Sequence, residues 1–185
     1  MRQVRGVLFL DYVRMLRAFK ARAPEFLATD DLVYLQIHID PDTWYPMEVF
    51  ERLGCAILAL VSRGEMFPVR LWGRYSTAQL HKAYPTLLET NDPVETLNRF
   101  RVLRDTFFDF PAAQVLMLHD NEAQIAITYY MGAVAEEAAA TQTMGFFEGL
   151  LALAGAKNIR AEFHERAWSG APRTLLALSW QSPKG

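Results

Sequence analysis

The apolar pattern of this chain changes its period once, near Pro111, and that change leaves few architectures open. Before it, apolar residues recur mostly at helical spacing. After it, Gln114–His119 (QVLMLH) and Gln124–Tyr130 (QIAITYY) read as strands, with Asp120-Asn121 between them as a hairpin turn. The stretch from Val134 to Ala154 is rich in alanine and leucine and predicts a long helix ended by Gly155. Asn158–His164 and Thr174–Trp180 predict two more strands, joined by Ser169-Gly170-Ala171-Pro172. Helices first, then strand-strand-helix-strand-strand, predicts an α+β fold. An N-terminal helical part packs on a C-terminal antiparallel sheet of about four strands, with a long covering helix.

The helical part has its own punctuation. Val7, Leu8, Leu10, Tyr12, Val13, Leu16 and Phe19 predict an amphipathic helix that ends before Pro24. Asp30 and Asp31 cap a short helix through Ile37, and HIDPDTW is a turn. Pro46 opens a helix that runs to about Ser62 and stops at Arg63-Gly64. A further helix spans Pro68–Ala83 and stops at Tyr84-Pro85. Asn91 or Asp92 caps the next, with Pro93 in its first turn and Glu95 at the positive dipole end; it reaches about Asp105.

With 185 residues, half of them apolar, the chain can bury one core, so 1–185 is read as a single domain. A formal net charge of -2 without long runs of one sign excludes a phosphate-tracking nucleic-acid binder. The lone cysteine, Cys55, lies in the apolar run CAILALV and reads as a buried, inert thiol in a reducing compartment. Asp11, Arg14 and Arg17 interrupt the first apolar stretch, so it is no signal peptide. No window reaches the roughly 20 apolar residues of a membrane span. The expectation is a cytoplasmic protein.

Catalytic chemistry is not legible. His38, His81, His119 and His164 form no HExxH or similar ligand set, so no metal site is expected, and His164 has Glu162 or Glu165 as partner. Ser62, Ser76 and Ser169 lack a GxSxG setting, and no phosphate-cradling glycine loop is present. Asp40 and Asp42 fit an Asp-Pro turn. The aromatics Trp72, Tyr75, Phe100, Phe107, Phe108, Phe110, Tyr129, Tyr130, Phe146 and Phe147 read either as a filled core or as walls of a pocket for a flat, apolar ligand. Gly145 and Gly149, four apart on the long helix, call for a close approach. Helix-sheet packing, a ligand and a helix-helix dimer contact all satisfy it, with Glu148 facing solvent.

Several short motifs resemble the haem nitric oxide/oxygen binding (H-NOX) family. They are Gly6-Val7-Leu8-Phe9, Trp44-Tyr45-Pro46 with Phe50, and Gly73-Arg74-Tyr75 followed by Tyr84-Pro85. Further along come Asp92-Pro93 to Leu103 and Gly145-x-x-Glu148-Gly149-Leu150. Their order adds to the resemblance. It implies that the family's proximal histidine falls at about Leu103 and its Y-x-S-x-R motif at Tyr129-Tyr130-Met131-Gly132-Ala133, where serine and arginine are absent. Iron needs an axial donor and buried propionates need cations. The expected cofactor is therefore none, with haem disfavoured. The chain is also similar to V4R-type small-ligand-binding domains, which implies a bacterial, haem-free relative.

The resulting expectation is a non-enzymatic, haem-free signalling sensor or binding module. Its pocket lies between the Pro93–Asp105 helix and the sheet and takes a small apolar molecule or lipid. Leu103 stands at the iron-ligand position, and Trp72, Tyr75, Phe107, Pro111, Tyr129 and Phe146 line the space. No catalytic residue is assigned. The alternative is an interaction or dimerisation adaptor with a collapsed pocket, bound to a separate signalling protein or to itself as a homodimer; a haem-based gas sensor and an enzyme stand behind both.

Overall fold

The computed structural model describes residues 1–183; the last two residues of the expected 1–185 domain lie outside the described residues. The chain divides into two compact units. The first comprises Met1–Met66 with Asp105–Phe110, and the second Phe67–Arg104 with Pro111 onward.

In the first unit, β1 (Gln3–Arg5) pairs antiparallel with β2 (Trp44–Pro46), Val4 facing Tyr45. Neither three-residue strand is long enough to show alternation, so the sequence pattern does not reveal this small sheet. Helix α1 (Gly6–Arg17) follows β1 directly, and α3 (Met47–Leu60) follows β2. They pack through Phe9, Tyr12 and Val13 against Phe50 and Leu53, with the Phe9 ring stacked 4.5 Å from Tyr45. Residues 105–110 close the unit: the Arg5 amide donates to the Phe107 carbonyl (2.8 Å) and the Gln3 amide to Asp109 Oδ1 (2.7 Å). The short α2 (Thr29–Leu32) is not capped by Asp30 or Asp31 as expected; its N-cap is Ala28. Asp31 is buried and receives a guanidinium fork from Arg52 at 2.7 and 2.8 Å. Two parallel charge-assisted bonds satisfy the carboxylate better than one cap bond would.

The second unit holds α4 (Met66–Ala83, all but its first residue), α5 (Pro93–Leu103), β3 (Ala113–His119), β4 (Glu122–Ile127), α6 (Ala133–Leu153), β5 (Lys157–Glu165) and β6 (Thr174–Gln181). Its four strands form one antiparallel sheet in the order β3-β4-β6-β5. The register aligns Val115 with Ile125 and Ile125 with Leu176, so the buried side chains of three strands share one face. Helix α6 packs on β5 and α5 packs on β3. The foreseen cap of α5 is present: Asp92 Oδ1 accepts from the Glu95 amide at 2.9 Å, and Pro93 sits at the start. Gly155 ends the α6 region with φ +87°. No helix among the described residues is long and apolar enough to cross a membrane.

Helix α6 is buried around much of its circumference, from Ala135 and Ala139 through Met144, Phe147, Leu150 and Leu151. A helix with an apolar surface all round must be covered on more than one side. It also buries two carboxylates, Glu136 and Glu148, and these organise the most constrained places in the unit.

Candidate functional site

The first of these places is the crossing of α4 and α6. A Cβ on Gly73 would stand 2.0 Å from the Gln142 carbonyl oxygen, and one on Gly145 would stand 1.9 Å from that of Arg70. The two backbones therefore touch, which offsets the roughly 1 kcal/mol each helical glycine costs against alanine. The close approach expected of the glycine pair is present, but it is an intramolecular helix-helix contact rather than the helix-sheet packing, ligand or dimer contact expected. Thr77 Oγ1 donates to the Phe146 carbonyl across the same crossing at 3.0 Å. Glu148 does not face solvent, as the sequence suggested; it is 3% exposed. Arg70 Nε reaches its Oε2 at 2.8 Å with a second Arg70 bond to Oε1, and Arg74 adds bonds at 3.1 and 3.0 Å. Burial alone would raise the Glu148 pKa; the bonds and charges of Arg70 and Arg74 outweigh it and hold the carboxyl below its ordinary value. The i, i+4 arginine pair opposite G-x-x-E-G was the available sequence signal, because such a pair presents both guanidiniums to one point.

The second place is the turn from β4 into α6. The Glu136 carboxylate accepts from the Tyr129 amide (2.7 Å) and the Met131 amide (2.9 Å). Tyr130, between them, is held at φ +59°, a left-handed conformation rare for a non-glycine residue. The Tyr129 hydroxyl lies 2.6 Å from Thr143 Oγ1, which itself donates to the Ala139 carbonyl at 2.8 Å. Tyr129 is thus the donor to Thr143. Burial pushes its pKa to about 12. It is a neutral, oriented hydroxyl at physiological pH.

The sequence-derived lining residues separate. Phe146 stands in a ring cluster with Phe147 (5.3 Å) and Phe100 of α5 (5.8 Å), while Phe100 meets Phe147 edge-on at 4.8 Å. Trp72 on α4 and Leu103, the last residue of α5, are half-buried; Tyr129 is buried; Pro111 is exposed. Phe107 is buried but belongs to the first unit. Tyr75 is a correction: at 77% exposure it stands in solvent and walls nothing, because α4 turns Gly73 and Thr77 toward α6 instead. The second unit does open an indentation of about 860 Å³, at the N-terminal end of α5 rather than at Leu103. Asp92, Asn98, Asn121, Lys157 and Trp180 line it, and its character is polar.

Cys55 is exposed on α3 and not buried as expected, since its run wraps around a helix of which only one side faces the core. Part-burial, with the Glu51 charge, still raises its thiol pKa. His164 Nε2 pairs with Glu162 at 2.9 Å, one of the two partners expected. His81 on α4 has a buried Nδ1 with no partner.

No protein-family model matches the chain, and no curated protein matches it. Solved structures do. The chain is similar to a mutant of T. tengcongensis H-NOX, at 12% identity with TM-score 0.64 over 97% of this chain and 98% of that one. It is similar to an S. oneidensis H-NOX protein in the Fe(II)NO ligation state, at 10% identity with TM-score 0.67 over 96% and 99%. It is also similar to a mutant K. algicida H-NOX protein, described as Fe(II) unliganded, at 11% identity with TM-score 0.67 over 96% and 97%. The chain has an H-NOX-like fold.

The cofactor expectation is corrected by these matches. The structures that share this fold include iron-bearing ones, and others were solved to study haem distortion and haem redox potential. The expectation of no cofactor rested on one missing histidine and one missing motif, and a single donor position is a narrow basis in a chain so divergent from its neighbours. Tested against haem, the residues divide. Helix α5 carries no histidine and ends in Leu103, so it does not fit axial ligation from that helix. Among the described residues, the buried imidazole nitrogen without a partner is that of His81. It lies one turn beyond Thr77, on the side of α4 that meets α6.

Proposed function

We propose that this chain is a non-catalytic sensor module on the H-NOX-like fold, which binds a small, largely apolar group and passes the bound state to another protein. The observation that supports it most is a match to H-NOX structures over 96–97% of the chain, with the ring cluster of Phe100, Phe146 and Phe147 and the oriented Tyr129 hydroxyl in one unit. Aromatic walls and one fixed donor are what an apolar ligand needs for affinity and orientation. The proposed lining residues are Trp72, Leu103, Tyr129 and Phe146, all of the second unit.

The test is a haemin titration of the purified chain read by absorption, with native mass spectrometry of the chain as isolated. A Soret band that saturates at one equivalent makes haem the group, and its loss in His81→Ala assigns the ligand. A bound lipid or other apolar molecule in the mass spectrum makes that the group instead. No stoichiometric ligand in either measurement overturns the sensor reading. It would leave the adaptor reading, which the exposed aromatic pair Phe67 and Tyr75 favours.

A further inference from the structure

We propose that the outward face of α4 docks an acidic amphipathic helix of a partner protein. This surface does not rest on the ligand reading. At 100° per residue, Phe67, Leu71 and Tyr75 follow one another at i, i+4 and i+8 and fall within about 80° of each other, with Ala78 in the same sector. Phe67 is 69% exposed and Tyr75 77%. Large aromatics in such a row on a solvent face are the kind of apolar patch that marks an interaction site.

The charge on this helix chooses the partner. Helix α4 has no aspartate or glutamate in its 18 residues, although the chain as a whole is net negative. Arg70, Arg74 and Lys82 flank the aromatic row, and the two arginines share the single carboxylate of Glu148. Positive charge therefore remains beside exposed rings. A complementary partner brings apolar side chains at helical spacing between rows of carboxylates. A second copy of this chain is the wrong occupant, since a two-fold contact would set this basic face against itself. A lipid surface is also the wrong occupant. The apolar row is short, and the glycine crossing with α6 stops α4 from rolling its other apolar residues outward.

The probe is a fluorescein-labelled helical peptide of about 20 residues, with leucine at i, i+4, i+7 and i+11 and glutamate on both flanks. Beside it stands the same peptide with lysine for glutamate. Anisotropy titration against the full chain should show saturable binding of the acidic peptide alone. That binding should weaken at least about tenfold between roughly 50 and 300 mM salt, and by about as much in the double variant Phe67→Ser/Tyr75→Ser. Lys82→Glu should weaken it as well. Both aromatics are exposed, so the double variant should keep the wild-type melting curve and ligand binding, which separates this result from a failure of the sensor reading. Equal binding of both peptides, no binding of either, or unchanged binding by the double variant overturns the proposal. So does self-association, or binding to anionic phosphatidylserine vesicles, that the double variant abolishes.

Discussion

Glu148 and Glu136 sit about three turns apart on α6 and are partnered in different ways, one by guanidiniums and the other by backbone amides. Removing Glu148 leaves two arginines without their carboxylate. Both arginines are part-exposed and water can hydrate them, so Glu148→Ala should cost about 2 kcal/mol in denaturant unfolding at pH 7, the range of hydrogen bonds to charged groups. Glu148 has a folded pKa below its ordinary 4.5, so its stabilisation is complete above that value and is lost as pH falls through the folded pKa. The gap between wild type and Glu148→Ala should therefore close on acidification, and a gap that stays constant from about pH 7 to pH 3 would refute the ion-pair account. Tyr129 makes a prediction at the opposite end of the scale. Of the seven tyrosines, its absorbance change should come late, near pH 12, and Tyr129→Phe should delete that phase at a cost of about 1 kcal/mol. The Arg70/Arg74 spacing signals a shared partner without saying which carboxylate it is, and nothing local signals the amide donors of Glu136, because a glutamate on a helix shows its partner only once another element is placed beside it.

At the scale of elements, the α4–α6 crossing is the tightest contact, and it depends on the absence of two methyl groups. Gly145→Ala and Gly73→Ala each drive a Cβ into a backbone carbonyl, which no side-chain rotation relieves. Each should cost about 3 kcal/mol, the upper part of the usual overpacking range. Thermal unfolding of the two variants checks this; a shift within error of wild type would mean the helices stand further apart. The same elements show what a single sequence can carry. The Asp92-Pro93 start, the Arg63-Gly64 and Gly155 stops and the Asp120-Asn121 turn are local and are found where they were read, whereas the strand read to Tyr130 ends at Ile127 and the helix read to Ile37 ends at Leu32. The β1–β2 pairing and the Asp31–Arg52 fork join residues distant in sequence, and no local pattern announces them. Tyr75 failed as a pocket wall for the same reason. Helical spacing shows that α4 has faces, but the glycines that touch α6 decide which face is covered.

For the whole molecule, the order of motifs carried more than any one of them: short matches in H-NOX order anticipated a fold shared at only 10–14% identity. Absence of a motif was weaker evidence, and the cofactor expectation built on Leu103 shows the limit. The division into two units was not anticipated, because the first is not continuous in sequence. Residues 105–110 return to it after α4 and α5 and supply the Phe107 carbonyl to Arg5, the Asp109 carboxylate to Gln3 and a bridge between Phe108 and Val4. Cutting the chain between Met66 and Phe67 therefore removes from the first unit the segment that satisfies its N-terminal strand. The amides of Gln3 and Arg5 would lose their acceptors, and the core would lose the buried Phe107 ring. A fragment of residues 1–66 should show no cooperative thermal transition by circular dichroism. The same fragment extended by a short glycine-serine linker and residues 105–110 should regain one. Cooperative melting of the bare fragment at the temperature of the extended one would show that the returning segment contributes nothing to that unit.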